Sequence, residues 1–380
     1  MKTNLKKLLY SGVTLMSLGV LAACSTASSS TTTSSSVATS QTSVATSSSS
    51  TSSSSSSSSI DWSVLPTTEV TLSNDGLKIT EGGTYILTGS TTAGVTVETD
   101  ANVRIILAGA DISSSDTAAI NVIKADNVEL EIKDGTSNTV KDTSNHSDTN
   151  IEGAIHVEAD LTITGNGNLT VEGNFQDGIV STDDLVINAS NIKVTAVDDG
   201  IRGKDSLTIN GGTIDVTVGG DGIKSTNDTD TTKGYTRITG GDITVKAGDD
   251  AIKAETALTI DGGTITVPES LEALEGTNIT INGGTLDVYG SDDTINAAST
   301  TSTDIFIKVT GGDLKVAVGS GDTDAFDANG DIYISGGTID VTAPTSAFDF
   351  DGTAELTGGT VRVNGEQISQ IVATGPGARW

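Results

Sequence analysis

From about residue 113 the chain alternates apolar and polar positions in very short bursts. Leu207-Thr-Ile209 puts two aliphatic side chains on one face and threonine on the other, and Ile214-Asp-Val216 repeats this after a glycine pair. The pattern Gly-Gly-[Thr/Asp]-[Ile/Leu/Val]-x-Val recurs with its first glycine at Gly211, Gly240, Gly262, Gly283, Gly311, Gly336 and Gly358, at spacings of 29, 22, 21, 28, 25 and 22. Period-two strands of three to five residues, closed by glycine corners and repeated near every 22 residues, predict a stack of equivalent units. A third short strand begins at positions such as Gly200-Ile201-Arg202. Three strands per turn predict an all-β, single-stranded parallel β-helix, a solenoid of about ten rungs over 113–363, roughly 45–50 Å long at the spacing of paired strands.

The departures from the period are polar excursions: Val140–Asn150, Thr226–Tyr235 and Ala298–Asp304. All three are expected on corresponding parts of the repeat, and hence on one face, where insertions in repeat proteins gather around a binding surface. Residues 60–112 are β-rich but irregular and are expected to form a cap and the first turns, with 364–380 capping the other end.

The front of the chain has a different composition. Lys2, Lys6 and Lys7 precede an apolar run that ends Leu21-Ala-Ala-Cys24, which reads as a signal segment over 1–23. Small residues before the single cysteine resemble a bacterial lipobox, which implies lipidation at Cys24 and anchoring on the outer face of the cell membrane. One cysteine permits no intrachain disulfide. Residues 24–59 are mainly Ser and Thr and are expected to be a disordered spacer of roughly 30–35 Å.

The net charge is −30, from 20 basic and 50 acidic residues. Such a chain repels nucleic acid and attracts cations. Much of the charge is patterned. Aligning the third strands on Ile179, Ile201, Ile223, Ile252, Leu274, Ile295 and Phe326 places an acid two residues earlier each time: Asp177, Asp199, Asp221, Asp250, Glu272, Asp293 and Asp324. Asp198, Asp249 and Asp292 double three of these. Unit charges stacked 4.8 Å apart repel by about 0.9 kcal/mol in water and about 3.5 kcal/mol at an effective dielectric of 20. Such a column needs raised pKa values, neighbouring bases or bound cations. An oxygen-only donor set suits calcium, and Asp198, Asp199, Asp221, Asp249, Asp250, Glu272 and Asp293 are the candidate ligands. Solvated corner carboxylates, pairing with Arg202, Lys224 and Lys253 at the surface, or splayed side chains are the alternatives.

The run from Val197-Asp-Asp-Gly-Ile-Arg-Gly-Lys to Gly219-Gly-Asp-Gly-Ile-Lys-Ser-Thr, together with Gly82-Gly-Thr-Tyr-Ile-Leu and Val103-Arg-Ile-Ile-Leu, resembles a family of secreted bacterial carbohydrate-binding β-helix proteins. The resemblance covers roughly 70–365. It implies a right-handed β-helix shaped like the pectate lyases, bound calcium at Asp199, Asp221 and Asp250, and attachment to plant-type or acidic, uronate-containing polysaccharide. The expected activity is non-catalytic binding, with Tyr235 and Tyr289 as candidate sugar platforms. Other readings are a calcium-dependent polysaccharide lyase using Arg202, Lys224 or Lys253 as base, a glycosidase using paired aspartates, and an adhesin or spacer. A lysine among so many carboxylates should have its pKa raised, which opposes a role as base.

Overall fold

The computed structural model describes residues 60–321 and 323–374. The signal segment, Cys24, the Ser/Thr-rich spacer and Trp380 lie outside the described residues. Apart from a 3-10 turn at Trp62–Val64, the regular structure is one 32-stranded sheet. Among the described residues no helix is long and apolar enough to cross a membrane.

Nearly every strand pairs in parallel with the equivalent strand of the next repeat, so the pairing runs in three ladders. In the repeat around residue 210, the strand Ser206–Val218 supplies the first two ladders and Ile223–Ser225 the third. The strand bends at Gly211-Gly212, where Gly212 has φ +104° and a Cβ would lie 2.3 Å from the Ser190 carbonyl oxygen. Only glycine meets both demands.

The alternation seen in the sequence sets the core. Ile187, Ile209, Ile238, Ile260, Ile281, Val309 and Ile334 stand in register along the first ladder. Ile214, Ile243, Ile265, Leu286, Leu314 and Ile339 do so along the second. Ile179, Ile201, Ile223, Ile252, Leu274, Ile295 and Phe326 follow the third in the expected alignment. All are buried, each contributing about 1.5–3 kcal/mol relative to exposure. Phe326 and Phe348 close this column with rings stacked 5.2 Å apart.

The strands before residue 113 join the same ladders: Thr67–Leu72 pairs with Gly83–Thr91, which pairs with Val103–Ser113. At the far end Glu366–Gln367 turns back antiparallel onto Thr360–Val363. The Thr374 amide donates to the Phe348 carbonyl at 3.0 Å, and Ile371 is buried against the core.

One expectation needs correction. The three polar excursions do not follow corresponding strands. The first follows Ser137–Lys141 of the second ladder and precedes the third-ladder strand Gly153–Val157. The other two leave the third ladder after Ser225 and after Ala297. Gly-Gly spacing cannot locate the first, because it lies upstream of the first such pair.

Candidate functional site

The acids sit where the chain turns into the third ladder, two residues before the core position. Their stacking is built into the backbone. The Asp199 amide donates to Asp177 Oδ1 at 3.1 Å, that of Asp221 to Asp199 Oδ1 at 2.9 Å, and that of Asp250 to Asp221 Oδ1 at 3.0 Å. The Asp324 amide donates to Asp293 Oδ1 at 2.7 Å. Each carboxylate therefore caps the corner of the next repeat with one oxygen. Glu272 interrupts the series; its carboxylate accepts from Asn296 Nδ2 at 3.0 Å instead.

The other oxygen meets a base in the first half of the column. Arg202 Nη2 lies 2.7 Å from Asp177 Oδ2 and also pairs with Glu152. Lys224 Nζ bridges Asp199 and Asp221, at 3.0 Å from the latter. Lys253 Nζ bridges Asp250, at 2.7 Å, and Glu275. Arg202, Lys224, Lys253, Glu275, Asn296 and Asp327 occupy one outward-facing register position on successive repeats. That row changes from basic to acidic after Lys253.

These are not surface pairs. The side chains of Asp177 and Asp250 are each 4% exposed. Burial pulls the Lys224 and Lys253 ammonium groups down, but the facing carboxylates more than reverse this, and both pKa values end raised. Neither lysine is poised as a base. Burial pushes Asp177 up to about 6, against the opposing pull of Arg202. Burial and the adjacent Glu275 carboxylate raise Asp250. Past the last base, burial lifts Glu272 to about 7 and Asp293 to about 6. It lifts Asp327 to about 7, with help from Asp293, Asp324 and Asp349.

Three groups gather carboxylate oxygens within 4.8 Å: Asp177, Asp198 and Asp199; Asp221, Asp249 and Asp250; and Asp250, Glu272 and Glu275. These hold every sequence-predicted ligand except Asp293, and bring in Asp177 and Glu275. Glu275 is legible as the register partner of Lys253, one repeat on. An oxygen-only cluster of three carboxylates matches the donor chemistry of a hard divalent cation.

A second feature adjoins this column. The two excursions that leave the third ladder, 226–234 and 298–305, stand three repeats apart, because Ser225, Ala254, Gly276 and Ala297 pair in succession. Three sheet spacings separate them by about 14 Å. The two intervening repeats pass directly from third to first ladder at Ala254–Ala257 and Gly276–Asn278, and floor a cavity of about 740 Å³. Its lining is rich in hydroxyl, amide and carboxylate groups, with Lys253 and Glu275 linking it to the acidic column. Tyr235, 38% exposed, is the aromatic ring in that lining. Tyr289 is not brought to it; it lies in the second ladder opposite Ala317.

The first wall is rigidly made. Asn227 Nδ2 donates to Asp205 Oδ1 at 2.6 Å, and Asn227 Oδ1 accepts from the Thr229 and Asp230 amides at 3.2 and 3.0 Å. The second closes on Ser299 Oγ, which accepts from the Thr301 and Ser302 amides at 3.2 and 3.1 Å.

Comparison with known proteins fits these features into a family. A carbohydrate-binding domain-containing protein of Acetivibrio thermocellus is 34% identical over 135 residues, 33% of this chain and 47% of the relative. The chain thus spans about half the length of the curated relative it matches. A solved structure described as the polysaccharide lyase-like protein from C. thermocellum, gadolinium derivative, shares 33% identity and a TM-score of 0.52 over 53% of this chain and 90% of that one. The family model described as carbohydrate-binding domain-containing protein matches residues 73–325, which include the acidic column through Asp324 and both walls of the cavity, and the chain belongs to that family.

Proposed function

We propose that the protein is a non-catalytic carbohydrate-binding protein whose ladders are the faces of a right-handed parallel β-helix. The cleft between the two excursions receives the glycan. The observation that carries this is the cleft itself, set within the family-matched segment: a rigid-walled, hydroxyl- and amide-lined slot with an exposed tyrosine on its edge. Sugar recognition needs these elements, a ring face for stacking and fixed polar groups for hydroxyls. The raised pKa values of Lys224 and Lys253 and the repetition of the acids along the stack support binding rather than lyase chemistry.

In this reading calcium is held by Asp177, Asp198 and Asp199 and by Asp221, Asp249 and Asp250, with Asp198 and Asp249 on the solvent side. Calcium bound there also offers a bridge to uronate carboxylates. Chelation is expected to lower the melting temperature, and restored calcium to return it; an indifferent melting temperature removes the ion from the proposal. Lipidation at Cys24 is the proposed tether to the outer face of the membrane, and Cys24→Ser should release the protein into the medium.

The functional test is retention on polysaccharide gels, run beside an assay for unsaturated uronate on polygalacturonate with calcium. Retention without absorbance gain is expected. An absorbance gain would establish the lyase, and absence of retention on any polysaccharide would leave an adhesin or spacer.

A further inference from the structure

The charge of the cleft narrows the class of sugar. Asp228, Asp230, Glu255 and Glu275 line it, against the single base Lys253. That base is already committed, since its ammonium bridges Asp250 and Glu275. Glu275 is thereby occupied, and Asp230 is taken up holding the Thr232 amide and hydroxyl at 3.0 and 2.7 Å. Asp228 and Glu255 differ: the carboxylate of neither forms a hydrogen bond or salt bridge among the described residues. They belong to different parts of the slot, Asp228 to the first wall and Glu255 to the floor.

Both line the cleft, and the wall that carries Asp228 is pinned to the floor beside Glu255. Gly234, at the root of the wall, approaches the floor so tightly that a Cβ there would lie 3.0 Å from Glu255 Cβ. The Thr256 amide donates to the Gly234 carbonyl at 2.9 Å and the Thr256 hydroxyl to the Lys233 carbonyl at 2.6 Å. Tyr235 follows directly, placing its ring beside the same floor. Burial raises Glu255, and the Asp228 and Glu275 charges raise it further against the pull of Lys253. Two carboxylates without partners and an aromatic ring in one cleft, with no uncommitted cation among the lining residues, form a receptor for an ammonium group.

We propose that the cleft selects glycans carrying free amino groups, of the glucosamine type, with the ammonium held between Asp228 and Glu255 and the sugar against Tyr235. This rests on the carbohydrate-binding reading and adds the substrate class. Without calcium a uronate would enter against the carboxylates with no base to receive it, and an N-acetylated sugar would lack the charge.

The test is calorimetry with short oligomers at physiological salt and with chelator present: glucosamine trisaccharide, its N-acetylated counterpart, a neutral glucose trisaccharide and a galacturonate trisaccharide, with polysaccharide gels alongside. The amino oligomer is expected to bind at least tenfold more tightly than the others. Asp228→Asn with Glu255→Gln, and separately Tyr235→Ala, should each weaken it at least tenfold. Asp313→Asn with Asp340→Asn, which removes the same charge from second-ladder positions outside the cleft lining, should leave it unchanged. Equal loss in that control would reduce the effect to bulk charge and overturn the proposal. Neutral or acidic oligomers binding as tightly would overturn the selectivity and leave carbohydrate binding standing. No binding of any oligomer or gel would overturn both.

Discussion

Asp221 shows what one carboxylate does in this molecule. Its Oδ1 accepts the Asp250 amide and its Oδ2 receives Lys224, while its own amide donates to Asp199. The two jobs can be separated. Asp221→Asn keeps an oxygen for the Asp250 amide and loses the charge; Asp221→Leu loses both. Leaving a buried donor unmade costs about 1–3 kcal/mol, so denaturant unfolding should find the leucine variant less stable than the asparagine variant by about that amount. If the two variants unfold alike, the amide bond contributes nothing. Gly200 is constrained for another reason. A Cβ there would lie 2.4 Å from the Gly222 carbonyl oxygen and 2.6 Å from Val216 Cγ1. Gly200→Ala is expected to destabilise by about 1–3 kcal/mol as an overpacked site.

At the scale of the third ladder, the acids divide into a compensated and an uncompensated segment, and their titration follows. Asp177 and Asp293 titrate near 6, and Glu272 and Asp327 near 7, against about 4 in an unfolded chain. At these four acids the folded state therefore retains protons that the unfolded state has released, and their contribution to stability falls as pH rises from about 4 to about 7, then levels. With chelator present, the melting temperature should be higher at pH 5 than at pH 8. Calcium should shrink the part of that difference that Asp177 contributes, by replacing its proton as counter-charge. A melting temperature that rises over this range in chelator would contradict the assigned pKa shifts. The column is legible in the amino-acid sequence alone, because Asp199 and Asp221 stand at a fixed offset from Ile201 and Ile223. The bridging by Lys224 and Lys253 reads there only as a surface alternative, since burial of an outward-facing row depends on loops folding over it. The roles of Tyr235 and Tyr289 are not separable in sequence: each stands at or beside a strand end, and only the ladder each joins assigns one to the cleft.

At the scale of the whole molecule, the fold class is the most legible property, because each repeat carries its own glycine corner and apolar pair. The cleft is less so, since it arises from the interval between two excursions rather than from either alone. That interval can be edited. Deleting residues 263–283 removes one plain repeat and joins Gly262 to Gly284, which takes the place of its register equivalent Gly263. Neighbour-to-neighbour packing should survive the excision, so circular dichroism is expected to retain its β signal and unfolding its cooperativity. The slot would narrow by one sheet spacing, about 4.8 Å, and glycan retention should be lost. Undiminished retention would place the glycan elsewhere.

The antiparallel return of Glu366–Gln367 over Thr360–Val363, with Ile371 and Thr374 folded onto the last repeat, has a consequence for assembly. A parallel ladder ends in a row of unsatisfied amides and carbonyls, the same template it offered to each preceding strand. Without a cover, a second molecule could dock its own first strand there and the stack would grow into a filament. The returning segment acts as a chain terminator, so that polymer length is written in the gene and not decided by concentration.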